Sequence, residues 1–149
     1  MFEDLKGKYK ILKEVTIKPN IANFYINKND LIPILKYLKT STHTMFERIN
    51  CIVCKDTNET FELTYILYSD KYNCECAISY NITYEEEAES ICNIFKSANW
   101  EEREIFDLYG IKFTNHPNLK RILLPNSFKG YPLRKNYKMD DERLMWNYD

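Results

Sequence analysis

The chain has 149 residues, 44% of them hydrophobic and 29% charged, with a formal net charge of −1. That length supports one domain with its own core, and the balance of apolar and charged residues excludes an intrinsically disordered chain. No run approaches the ~18 apolar residues of a membrane span, and the first ten residues lack the apolar core of a secretory signal. Five cysteines, an odd number, fit reduced thiols in a cytosolic chain better than a disulfide scaffold.

Residues 9–18 and 21–28 read as strands around a turn at Pro19 and Asn20. Asn29 or Asp30 stands where it caps a helix over 31–39, with Pro33 tolerated in the first turn. Residues 45–55 form a weaker third strand. In the next run Phe61, Leu63, Tyr65 and Leu67 alternate with more polar neighbours, the pattern of a half-buried strand. Cys74, Cys76, Ile78 and Tyr80 repeat it, with Glu75 and Ser79 facing away. Asp56-Thr57-Asn58 and Asp70-Lys71 supply the turns.

The period then changes. Thr83 and Glu86 have capping-box spacing, and Ala88, Ile91, Cys92 and Phe95 fall on one stripe of a helix. Asn99 with Glu102 starts a further helix, ended by Gly110. These elements predict an α+β domain over residues 1–110, a mixed or antiparallel sheet with helices packed on it. An extended C-terminal tail over 111–149 follows, interrupted by Pro117, Pro125 and Pro132.

Charge divides along the same line. From Tyr84 to Asp107 there are eight acids against two bases; from Lys112 to Met139 there are seven bases and no acid. A long basic tail has no core of its own and is expected to lie along something else. Glu101, Glu102, Glu104 and Asp107 admit three readings: a solvated helix start favoured by the helix dipole, an acid–base pair at Glu104 and Asp107, or an ion network. In that network Arg103 reaches Asp107, and Arg121, Arg134 and Lys135 pin the tail.

Other chemistry is poorly supported. Cys51 and Cys54 have the spacing of half a zinc knuckle, but on a strand they face opposite ways and no second pair matches. His116, before Pro117, is placed to bond backbone. With glycine only at positions 7, 110 and 130, no phosphate-binding glycine loop exists. The tail's basic and aromatic residues (Phe113, Phe128, Tyr131, Tyr137) have the composition of a nucleic-acid binder, yet its apolar Ile122-Leu123-Leu124-Pro125 suits a protein groove better.

The spaced residues Glu102-Arg103-Glu104, Asp107-Leu108-Tyr109-Gly110-Ile111, Phe113, His116-Pro117 and Lys120-Arg121-Ile122-Leu123 resemble the signature of the complex I 30-kDa subunit family. Its members are subunits of proton-pumping NADH:quinone oxidoreductase. Gly130-Tyr131-Pro132-Leu133-Arg134-Lys135, with Tyr137, resembles the family's ending, and Asn136 departs from its usual Asp.

The resemblance implies a scaffold subunit of the hydrophilic arm, with no catalytic residue and no bound metal or cofactor. Iron–sulfur clusters, and FMN or a nickel–iron centre, are then expected in neighbouring subunits. The implied partners are the large, hydrogenase-like subunit at the quinone site and the small iron–sulfur subunit. The membrane would be met only through partners, at its cytoplasmic side. Glu102, Arg103, Glu104, Asp107, Gly110, His116, Pro117, Arg121, Arg134 and Lys135 are the expected signature or interface residues. Two alternatives stand beside this: the equivalent subunit of an energy-converting membrane-bound hydrogenase or formate hydrogenlyase, and an RNA-binding or adaptor domain.

Overall fold

The computed structural model of the protein describes residues 2–18 and 21–138. The turn expected at Pro19 and Asn20, and the tail from Met139 onward, lie outside the described residues. A short helix, α1 (Glu3–Lys8), precedes the antiparallel strands β1 (Lys13–Lys18) and β2 (Ile21–Tyr25). Helix α2 (Leu31–Thr40) is entered through a tight 3-10 turn at Lys28–Asp30, not through a side-chain cap from Asn29 or Asp30. Pro33 sits in its first turn, where the missing N–H has no helical partner to lose.

Strands β3 (Arg48–Asp56), β4 (Thr60–Ser69) and β5 (Cys74–Thr83) form an antiparallel meander. Strand β5 also pairs in parallel with β2, which gives a mixed five-stranded sheet in the order β1-β2-β5-β4-β3. The alternation read along β4 is its burial pattern: Phe61, Leu63, Tyr65 and Leu67 are all buried. Leu31, Ile34, Leu35 and Leu38 of α2 join the same core. At its centre Tyr65 and Tyr80 stack, ring centroids 5.9 Å apart, and their hydroxyls satisfy each other at 3.2 Å.

Ser79 is not solvated on the opposite face. It is buried on the central strand, donating to Asn23 Oδ1 at 3.0 Å and bonded to Thr64 Oγ at 2.7 Å. The parallel neighbour β2 brings Asn23 alongside, a long-range pairing that alternation does not reveal.

The helix expected over Ala88 to Phe95 is absent. Ala88–Glu89 form a short strand, β6, and turns follow. The four apolar residues are buried as expected, but the backbone groups there have other partners. Ala88 donates to the Lys112 carbonyl at 2.9 Å, Ser90 to that of Thr114 at 3.0 Å, and Ile91 to the Glu102 carboxylate at 2.7 Å. Half of the capping box exists without its helix, since Glu86 Oε2 accepts the Thr83 N–H at 2.7 Å.

Helix α3 (Ala98–Tyr109) begins one residue before Asn99 and packs on β3. Gly110 ends it in the left-handed region, φ +75°, with its N–H on the Phe106 carbonyl. That conformation favours glycine, and the ring of Tyr131 lies where a Cβ would project. Next comes β7 (Phe113–Thr114), parallel to β6, and both Ile111 and Phe113 enter the core. The stretch assigned to the tail from residue 111 therefore begins inside the folded body.

Candidate functional site

The signature residues meet on α3, and each buried acid there has a different set of partners. Asp107 is fully buried, so its charge requires compensation. Arg121 Nη1 donates to Asp107 Oδ1 at 2.7 Å, and Oδ2 accepts three successive amides, Ile122, Leu123 and Leu124, at 2.9, 2.7 and 3.0 Å. Burial would raise this carboxyl. The amides and the guanidinium outweigh it and hold Asp107 below the ordinary carboxylate range.

From this clamp the tail runs back over its own domain as a strap. Arg121 also donates to the carbonyls of Asp107 and Gly130, and lies 5.4 Å from the Tyr131 ring centroid. Leu133 N–H reaches the Leu108 carbonyl at 3.1 Å, and Arg134 Nε that of Tyr109 at 2.5 Å. The Arg134 guanidinium stacks among Tyr131, Phe61 and Tyr84, at 4.8, 5.3 and 5.8 Å. Farther on, the Lys135 amide donates to Asp56 Oδ2 at 2.9 Å, while the Lys135 side chain is exposed. Asp56 was legible only as a turn residue. Its second role, anchoring a residue 79 positions away, needs the fold.

Glu102 is the other buried acid. It accepts from Ser90 Oγ at 2.6 Å, Ile91 N at 2.7 Å and Cys92 Sγ at 3.3 Å, with His116 Nε2 at 3.9 Å. Burial is the largest influence and exceeds these bonds, so this carboxyl lies above the ordinary value of 4.5. Burial also pushes the Cys92 thiol up to about 11.

Cys92, Glu102 and His116 place three potential ligand atoms within 4.8 Å of one another. Their hydrogen bonds argue against a ligand set. His116 Nδ1 accepts the Asn118 N–H at 3.0 Å, so a neutral ring carries its proton on Nε2, facing the Asn99 carbonyl at 3.2 Å. That nitrogen then has no lone pair for a metal, and the thiol is a donor. The cluster ties the turns at 90–92 to α3.

Other expectations resolve differently. Arg103 does not pair with Asp107; its Nε and Nη2 donate to the carbonyls of Lys120 and Arg121 at 3.0 and 3.4 Å. A helical i to i+4 spacing permits the ion pair, but Asp107 faces inward and Arg121 occupies it. Glu104 is exposed whereas Asp107 is fully buried, so the two do not form an acid–base pair. Nor is the acidic cluster a solvated helix start, since Glu102 and Asp107 are both buried. Pro117 is exposed. Cys54 lies on the core side of β3, paired opposite Leu63, and Cys51 on the other face, opposite Ile66.

The fold and this site define a small α+β protein in which α3 holds the tail through one buried acid, Asp107, and the turns at 90–92 through another, Glu102, with no acid–base pair assembled among the described residues of the cluster. Residues 24–143 match the family described as the respiratory-chain NADH dehydrogenase 30 Kd subunit, and the chain belongs to that family. It is 36% identical to NADH-ubiquinone oxidoreductase subunit 9 of Dictyostelium citrinum, over 91% of this chain and 68% of the relative. The identity is 38% with subunit 9 of Acanthamoeba castellanii, over 97% of this chain and 81% of that one. It is 32% with the mitochondrial 30.4 kDa subunit of Neurospora crassa, of which this chain spans 47%. A chain in the structure of the membrane-bound sulfane sulfur reductase, an archaeal respiratory membrane complex, shares the fold with a TM-score of 0.80 at 17% identity. That match covers 97% of this chain and 89% of the other. Among the described residues no helix is long and apolar enough to cross a membrane.

Proposed function

We propose that the chain is a non-catalytic scaffold subunit in the hydrophilic arm of a respiratory NADH:quinone oxidoreductase. It packs through its strap on the large, hydrogenase-like subunit at the quinone site, beside the small iron–sulfur subunit. It binds no cofactor; iron–sulfur clusters and FMN belong to neighbouring chains, and it meets the cytoplasmic side of the membrane through them. The observation that carries this reading is the Asp107 clamp. Four donors hold the inner side of the strap, while Leu123 and Leu133 stay 59% and 48% exposed on it. Apolar side chains displayed on a fixed segment suit a protein partner.

The same geometry weakens the RNA reading. Arg121 and Arg134, with the aromatic rings around them, are committed to internal contacts. A stacking platform for bases needs such rings free. A second reading, the equivalent subunit of an energy-converting membrane-bound hydrogenase, draws on the fold shared with an archaeal respiratory membrane complex.

The test is affinity purification of the tagged chain from gently solubilised native membranes, followed by mass spectrometry. A hydrogenase-like large subunit with flavin-bearing NADH-oxidising subunits supports the first reading. The large subunit with nickel and no such flavoprotein supports the second. Recovery of the chain alone, or with RNA, removes both.

A further inference from the structure

Between β3 and α3, with Leu133 of the strap among its walls, lies a groove of about 220 Å³. Ile52 and Val53 of β3, Leu108 of α3 and Leu133 give it apolar walls. Val53, on the outward face of the edge strand β3, is 45% exposed at the groove's rim. Along the helix Glu101, Glu104 and Leu108 follow at spacings of three and four, so two carboxylates share the face that rims this channel. Glu101 Oε2 accepts the Ile52 N–H at 3.4 Å. Glu104 has no partner among the described residues, and no lysine or arginine lines the groove.

We infer that this groove receives an apolar segment carrying Lys or Arg from a neighbouring subunit, a contact that adjoins the strap's outer face at Leu133 and extends from it onto β3 and α3. The inference rests on the reading above that the chain works inside a larger complex. Charge selects the occupant. An apolar channel beside an unpaired carboxylate favours a segment that buries methylenes and brings a cation to Glu104. The chain's own residues 139–149 are the nearest rival in sequence. They carry Asp140, Asp141, Glu142 and Asp149 against a single Arg143, and would set like charges together.

The test uses the complex purified from native membranes, with a photo-reactive residue placed at position 53 or, as a control on the strap, at position 123. Irradiation from position 53 should join a neighbouring subunit at an apolar segment containing Lys or Arg. Where that segment's cation is a lysine, carbodiimide treatment of the unmodified complex should couple Glu104 to it, and Glu104→Gln should remove the product. Glu104→Lys should lower the crosslink from position 53 about tenfold. The inference is overturned by crosslinks from position 53 only to residues 139–149, only to a second copy of the chain, or to nothing while position 123 still reaches a neighbour. Silence at both positions, with the chain recovered alone, overturns the subunit reading and the inference with it.

Discussion

Two buried carboxylates on one helix respond to protons with opposite signs. The amides of Ile122 to Leu124 and Arg121 hold the folded Asp107 below its ordinary range. Its contribution is therefore present above the unfolded pKa, about 4, and lost as pH falls through the lower folded value. Asp107→Ala leaves a mostly buried guanidinium without its counter-ion and three amides without an acceptor. A loss of about 3 kcal/mol is expected in urea unfolding at pH 7. A loss below about 0.5 kcal/mol would mean that water replaces the clamp at no cost. Glu102 runs the other way. Its folded value is raised, so the compatibility of the neutral form with the core is lost as pH rises through that value. Glu102→Gln retains an acceptor for Ile91 and gives the amide nitrogen to Ser90 Oγ. The variant should gain on the parent as pH rises above the ordinary carboxylate value of 4.5; a parent that gains instead would show that the charge, with His116, is stabilising.

Elements were legible where side-chain order and burial coincide. Strand β4 declares itself because every second residue enters one core, and α3 because Gly110 stops it in a conformation few other residues adopt. The false helix over Ala88 to Phe95 has the right apolar spacing, but its backbone pairs with β7 and Glu102, more than ten residues away. Spacing reports which side chains are buried and says nothing of where the amides go. The site divides in the same way. An acid-to-tail network was readable from charge, yet Arg103 and Arg121 could be told apart only once Asp107 was seen facing inward. Cys92 and Ser90 lay hidden in the misread segment. The contact between α3 and the strap gives a prediction at this scale. At Gly110 an added Cβ would come 2.4 Å from the Tyr131 ring and hold an alanine at φ +75°. Gly110→Ala should displace the ring from Arg121 and Arg134, at a cost of about 1–3 kcal/mol. Trypsin cleavage at Lys129 and Lys135 should quicken while far-UV circular dichroism stays unchanged. Unaltered cleavage would show that the strap yields around the methyl group.

Across the whole molecule the basic tail lies against an acidic helix, which suggests that surface attraction holds it. The contacts point elsewhere. Of the tail's seven bases, only Arg121 forms an ion pair with an acid of α3. Lys112 approaches Glu87 at 4.0 Å with both side chains exposed, a pair worth little. The strap is held instead by amides and carbonyls: Leu133 on Leu108, Lys135 on Asp56, and three amides on Asp107. Salt at 1 M shortens the screening length to about 3 Å, which erases exposed attractions and leaves buried hydrogen bonds largely intact. Hydrogen exchange at pH 7 should therefore show the amides of Ile122, Leu123 and Leu124 equally protected in 0.1 M and 1 M salt. In Asp107→Asn the same amides should lose at least about tenfold in protection at either salt, because the side chain no longer offers a charged acceptor. Deprotection by salt in the parent chain would assign the strap to long-range charge. Protection that is independent of salt and lost only on removing the carboxylate assigns it to the clamp, and then a partner would meet a surface already formed.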